Sequence, residues 1–155
     1  MRSPVSARSG NLYGVTARQL DPDATPWVQR ILSPILHDLG TTCAVTFEIR
    51  DIRLVVGETG MEVSFGVCPP LGSQTRVTFL GTGQPSQDIA DLADKMQDVA
   101  TDALWFEGRS NVWPECPEHP ASHALRPMVA AERPVWRCPL TREVIAEIGN
   151  LAATP

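Results

Sequence analysis

The stretch Cys116-Pro117-Glu118-His119-Pro120-Ala121-Ser122-His123, followed by Cys138-Pro139, narrows what this chain can fold into more than any other feature. Its spacing is C-x2-H-x3-H-x14-C, two thiols and two imidazoles. That is the donor set of a tetrahedral zinc site, with a short spacing that presents several ligands from one turn. The segment around it is rich in proline and has no hydrophobic period, so local pattern alone would not hold it in one shape. A bound ion would. Cys116, His119 and Cys138 are each followed directly by proline, which fixes its own φ and restricts the residue before it. The expectation is one structural zinc ion held by Cys116, His119, His123 and Cys138. A metal-free alternative has two buried thiols and two surface histidines, steadied by packing of Trp113 and Trp136.

Val135-Trp136-Arg137 reads as a strand delivering Cys138, with Glu143–Ile148 as its partner. This layout resembles a zinc ribbon in which one knuckle keeps Cys-Pro-x-His and the other only Cys-Pro. Thr141 stands where the second knuckle would carry its other ligand, so His123 has to supply the fourth position. The longer pattern Val112-Trp113-Pro114-Glu115-Cys116-Pro117-Glu118-His119-Pro120, His123, Val135-Trp136-Arg137-Cys138-Pro139 and Ile148-Gly149 resembles the tail of a family of small actinobacterial proteins. In them an α+β segment also precedes the tail. The resemblance covers residues 24–151 and is specific only from Val112 onward. It implies a bacterial, cytoplasmic origin and brings no catalytic residue with it.

The rest of the chain reads as an α+β domain. Residues 1–20 mix Ser, Arg, Gly and Asn without a period and suggest a flexible, slightly basic leader. Thr25-Pro26 is a helix start, an N-cap residue before proline at the first helical position. Trp27, Val28, Ile31, Leu32, Ile35, Leu36 and Leu39 then recur at helical spacing up to Gly40, with Pro34 inside the run expected to kink or split it. Period-2 alternation marks strands at Thr42–Arg50 and 61–67, and shorter apolar runs mark others at 52–56 and 76–80. Ser86 is the expected cap of a long helix whose stripe of Ile89, Leu92, Ala93, Met96, Val99, Ala100, Ala103 and Leu104 would cover the sheet. The expected architecture is an antiparallel sheet of three to four strands with helices on one face, and a small zinc-ribbon-like C-terminal lobe. Its boundaries are 1–20 leader, 21–108 α+β domain and 109–155 lobe.

Function is less constrained. The chain lacks an 18-residue apolar run and the apolar core of a secretory signal after Arg2 and Arg8, so the cytoplasm is the expected compartment. There, four cysteines suit metal or core positions rather than disulfides. Twelve Arg against a single Lys is a bias that a GC-rich genome produces as readily as a need for bidentate contacts. The net charge of −5 argues against nonspecific nucleic-acid binding, and Arg109–Glu143 carries five Arg against four acids, far from a dense basic face. No deaminase pattern, nucleophile elbow, phosphate loop or dinucleotide fingerprint is present. Asp88, Asp91, Asp94, Asp98 and Asp102 recur on one side of the second helix, relieved only by Lys95. They form either a solvated face or a docking ridge for a basic protein partner. The reading that follows is a non-catalytic, zinc-stabilised interaction or regulatory protein, of adaptor or immunity type. Two alternatives stay open: a zinc-dependent hydrolase with an open Cys/His site and Glu115 or Glu118 as base, and a nucleic-acid-binding zinc protein.

Overall fold

In the computed structural model, residues 25–58 and 60–153 are described, so the expected leader and residues 21–24 lie outside the described residues. Helix α1 (Thr25–Thr42) buries Val28, Ile31, Leu32, Ile35 and Leu39, the predicted apolar face. It runs unbroken through Pro34 and two residues beyond Gly40. Pro34 costs the helix one N–H bond, but Ile31, Leu32 and Ile35, buried on both sides of it, keep the segment from splitting in two. The Thr42 hydroxyl donates to the Asp38 carbonyl at 2.7 Å and finishes the last turn.

Three strands follow: β1 (Glu48–Gly57), β2 (Gly60–Cys68) and β3 (Thr75–Gly81), antiparallel in the order β1-β2-β3. The two strands expected at 42–50 and 52–56 are therefore largely one, β1. Between Arg50↔Gly66 and Arg53↔Ser64, two β1 residues oppose the single Phe65. This is a bulge, with Asp51 at φ 52°. Ile49 and Ile52 are three residues apart, and a regular strand would send them to opposite faces. The bulge buries both.

Helix α2 (Pro85–Phe106) starts two residues earlier than expected on its N-cap, Gln84, with Pro85 at the first helical position. Ser86 is not the cap; its hydroxyl donates instead to the Glu132 carbonyl at 2.6 Å. All eight stripe residues from Ile89 to Leu104 are buried. They pack against α1, against β3, and against a second antiparallel sheet, β4 (Arg126–Ala130), β5 (Arg133–Arg137) and β6 (Val144–Glu147). The α+β class and the helical cover are as expected, with β4 as an added third strand of the C-terminal sheet.

A single hydrophobic cluster joins the two portions, since Trp113, Leu125, Trp136, Ile148 and Leu151 belong to the same core as Ile35, Phe65 and Met96. Polar bonds reinforce the junction. Gln97 on α2 donates to the Trp113 and Leu125 carbonyls at 2.8 and 2.7 Å, and the Trp113 indole donates to Thr42 at 3.0 Å. The Asp38 carboxylate on α1, fully buried, accepts from the Trp136 indole and from the Gly149 and Leu151 N–H groups. Gly149 has φ 102°, and a Cβ there would lie 2.9 Å from that of Pro34, so only glycine fits this approach to α1. No helix among the described residues is long and apolar enough to cross a membrane.

Candidate metal centre

Two backbone knuckles carry the ligands. In the first, a bridge between Glu115 and Ala124 closes a loop over residues 116–123. Inside it the Cys116 N–H donates to the His123 carbonyl at 3.3 Å, and the His119 N–H to the Cys116 carbonyl at 3.2 Å. The two hydrogen bonds fold Cys116, His119 and His123 to one side. Ala121, at φ 57°, makes the reversal, and its N–H is taken by the Glu115 carboxylate. The second knuckle is the β5–β6 turn. There the Cys138 N–H donates to the Glu143 carbonyl and the Arg142 N–H to the Cys138 carbonyl, each at 2.9 Å. Thr141, at the place of the missing second ligand, points its N–H at the Cys138 sulfur at 3.5 Å.

The four expected ligands come together. Their donor atoms all lie within 4.8 Å of one another. His119 Nδ1 is 3.5 Å from Cys116 Sγ and 3.6 Å from Cys138 Sγ, and His123 Nε2 is 3.4 Å from Cys138 Sγ. Around a tetrahedral ion with bonds of about 2.3 Å to sulfur and about 2.05 Å to nitrogen, neighbouring S and N atoms stand about 3.6 Å apart. The separations match that value. The group can hold one metal ion, with His119 offering Nδ1 and His123 offering Nε2. The other nitrogen of His123, Nδ1, lies 3.3 Å from the Ser122 hydroxyl, an outer partner that orients the ring.

Burial and hydrogen bonding treat the two thiols differently. Both residues are fully buried. Burial pushes the Cys116 thiol above its ordinary pKa, and the Glu118 and His119 N–H groups only partly oppose it. Burial also works against the Cys138 thiolate, but Thr141, the Leu140 N–H and His123 outweigh it and bring the thiol down to about 6. One ligand is therefore prepared as an anion before an ion arrives, and the other has to give up its proton on binding.

The two carboxylates considered as a base are placed differently. Glu115 is tied to the Ala121 N–H and braces the knuckle, while Glu118 lies exposed. On α2, Asp91, Asp94, Asp98 and Asp102 are exposed on one face, as the ridge requires. Asp88 is not part of it. Its carboxylate is fully buried and accepts the Thr82 N–H, the Thr82 hydroxyl and the Gly83 N–H at 2.8, 2.7 and 3.2 Å, pinning the loop before the helix. The run looked like one ridge in sequence because every member is Asp; Pro85 and Gln87 beside it are exposed, but the loop at Thr82–Gly83 folds back onto Asp88 and takes it out of solvent. The ridge extends instead at its other end, where Trp105 and Phe106, three and four residues past Asp102, are 66% and 63% exposed and meet edge to face at 5.5 Å. Helical spacing carried that signal in the sequence, but both residues read there only as the end of the helix. Comparison of the chain with protein-family models, with curated proteins and with solved structures found no match.

Proposed function

We propose that this chain is a zinc-stabilised, non-catalytic protein that works by binding another protein. The observation that carries the reading is the convergence of Cys116, His119, His123 and Cys138 within 4.8 Å, at separations suited to a tetrahedral ion. Two thiolates and two imidazoles favour zinc among divalent ions, and four protein ligands complete its shell without a water position for chemistry. The ion then does for the C-terminal segment what a larger core would do elsewhere: it ties the first knuckle to the β5–β6 turn. Thiol ligands suit a reducing compartment, the bacterial cytoplasm, where Cys43 and Cys68 also remain thiols.

The exposed side of α2 is the proposed docking face. Asp91, Asp94, Asp98 and Asp102 lead along it to Trp105 and Phe106, so a row of carboxylates ends in two exposed aromatic rings. Such rings are the usual anchors of an interface, and flanking charges set partner and approach rate. A partner with a basic surface around an apolar recess would fit both.

The test has two arms. Gently purified protein should carry one zinc ion per chain, and Cys116→Ser should lose it; protein purified without zinc would overturn the metal assignment. Capture of a partner from the host should weaken with salt, and should fail when Asp91, Asp94 and Asp98 are all changed to Lys, with zinc content unchanged. Capture indifferent to both perturbations would remove the α2 face from the reading.

A further inference from the structure

We propose that the C-terminal sheet carries a phosphate-binding pocket, built from Arg126, Arg137 and Arg142 beside the second knuckle, that takes the phosphomonoester group of a small soluble molecule. The pocket is a concavity of about 280 Å³ lined by these three arginines with Met128, Cys138 and Pro139. No carboxylate lines it. Among the described residues none of the three guanidiniums has an acidic partner, whereas Arg133, on the same strand as Arg137, reaches Glu147 at 3.8 Å. The chain has eighteen acids and a net charge of −5, so three arginines gathered without one is a local reversal of its overall balance.

Strand register makes the arrangement more pointed. Arg126 and Arg137 are directly opposite each other across β4 and β5, a placement in which like charges repel. A fold gains nothing from that pairing unless something negative sits between them. Arg137 is also held in place. Its Nε donates to the Arg142 carbonyl at 2.5 Å and its Nη1 to the Met128 sulfur at 3.4 Å, so the half-buried guanidinium is fixed by the knuckle backbone. Fixed planar forks match the oxygens of a tetrahedral oxyanion, and a preset fork loses little freedom on binding. The metal centre does not account for the three charges, because a divalent ion with two thiolates and two neutral imidazoles is itself neutral.

A phosphomonoester is the best match in charge. Near neutral pH it carries close to two negative charges on three terminal oxygens, whereas the diesters of a nucleic-acid backbone carry one each. A surrounding protein of net negative charge disfavours the long polyanion further.

The test uses the full chain with its metal and titrates phenyl phosphate, dimethyl phosphate, acetate and a single-stranded oligonucleotide without a terminal phosphate, read by calorimetry. Phenyl phosphate should saturate one site and bind at least about tenfold more tightly than the diester or acetate. Arg126→Gln and Arg142→Gln, both at exposed positions, should each weaken it about tenfold with zinc content and melting temperature unchanged. Acidifying below the second phosphate pKa, about 6, should weaken it too. Absence of saturation, variants that bind like the parent, or an oligonucleotide that outcompetes phenyl phosphate would each overturn the proposal.

Discussion

Asp38 is the residue whose loss should be felt furthest from its own position. It sits on α1, fully buried, and receives the Trp136 indole N–H and the Gly149 N–H on Oδ2, both at 2.7 Å, and the Leu151 N–H on Oδ1 at 3.0 Å. Those donors come from β5, from the turn after β6 and from the irregular stretch that follows it, 98 to 113 residues away in sequence. Hydrogen bonds to a charged acceptor contribute about 1.5–3 kcal/mol each, so three give about 4.5–9 kcal/mol before offsets. Holding a carboxylate out of water costs several kcal/mol in the other direction. Asp38→Ala removes both terms and leaves three buried N–H groups without an acceptor. Each stranded donor costs about 1–3 kcal/mol, and with the carboxylate's own desolvation relieved the expected net loss is about 3–5 kcal/mol. For a chain of this size that corresponds to a fall in melting temperature of about 6–20 °C. Asp38→Asn keeps one acceptor oxygen and should lose roughly half as much. Urea unfolding of parent and variants at matched metal content measures the difference, and amide exchange at Gly149 and Leu151 locates it. An Asp38→Ala protein within about 0.5 kcal/mol of the parent, with those two amides still protected, would refute the reasoning.

Three further outcomes are expected. Metal uptake should release protons: burial holds the Cys116 thiol protonated near neutral pH, so its proton leaves as the ion binds, whereas the Cys138 thiol, depressed to about 6, is already largely anionic there. A calorimetric zinc titration at about pH 7.5 in two buffers of different ionisation enthalpy should find about one proton released per ion, and uptake with no proton released would contradict the thiol ligands. Leu92→Ala or Met96→Ala, at positions 0% and 1% exposed between the helices and both sheets, should each cost about 2–5 kcal/mol in denaturant unfolding. Replacing Ala131-Glu132 by Asn-Gly should raise stability by about 1 kcal/mol, because both residues hold positive φ, 48° and 62°, in the two-residue turn joining β4 to β5; an unchanged unfolding midpoint would mean that the turn strain is absorbed elsewhere.

That turn shows why β4 was not legible in the sequence. A two-residue hairpin with positive φ at both positions normally advertises itself as Asn-Gly or Asp-Gly, and Ala131-Glu132 carries neither signal. Pro127 and Pro134, one on each strand, argue against pairing by the ordinary rule. They are tolerated because β4 is an edge strand, and Pro134 lies just outside the stretch where β5 meets β6. The helices were legible because their apolar stripes have a period that burial demands, and all eight α2 stripe residues are buried. The first sheet was legible apart from the phase change at Ile49 and Ile52, which alternation reads as a break between strands and the fold resolves with a bulge.

The metal ligands could be read at all because their chemistry is sparse: thiols and imidazoles at short spacing have few uses that require them together. Cys138, fourteen residues away from His123 in the intervening count, belonged to the set only by its following proline and the strand before it. Backbone geometry supplies what spacing cannot, since the β5–β6 turn carries Cys138 to 3.4 Å from His123 Nε2. Buried acids were illegible for the opposite reason. Asp38 and Asp88 look like any other helix-surface carboxylate in sequence, and nothing local distinguishes an acid that solvent surrounds from one that backbone N–H groups surround. Each is fixed by donors from elsewhere: Thr82 and Gly83 for Asp88, and the chain's last described turn for Asp38. A helix face lined with Asp therefore needs its outermost members tested one by one. Here the test removes Asp88 from the ridge and leaves Asp91, Asp94, Asp98 and Asp102 leading to Trp105 and Phe106, a shorter and more amphipathic surface than acidity alone described.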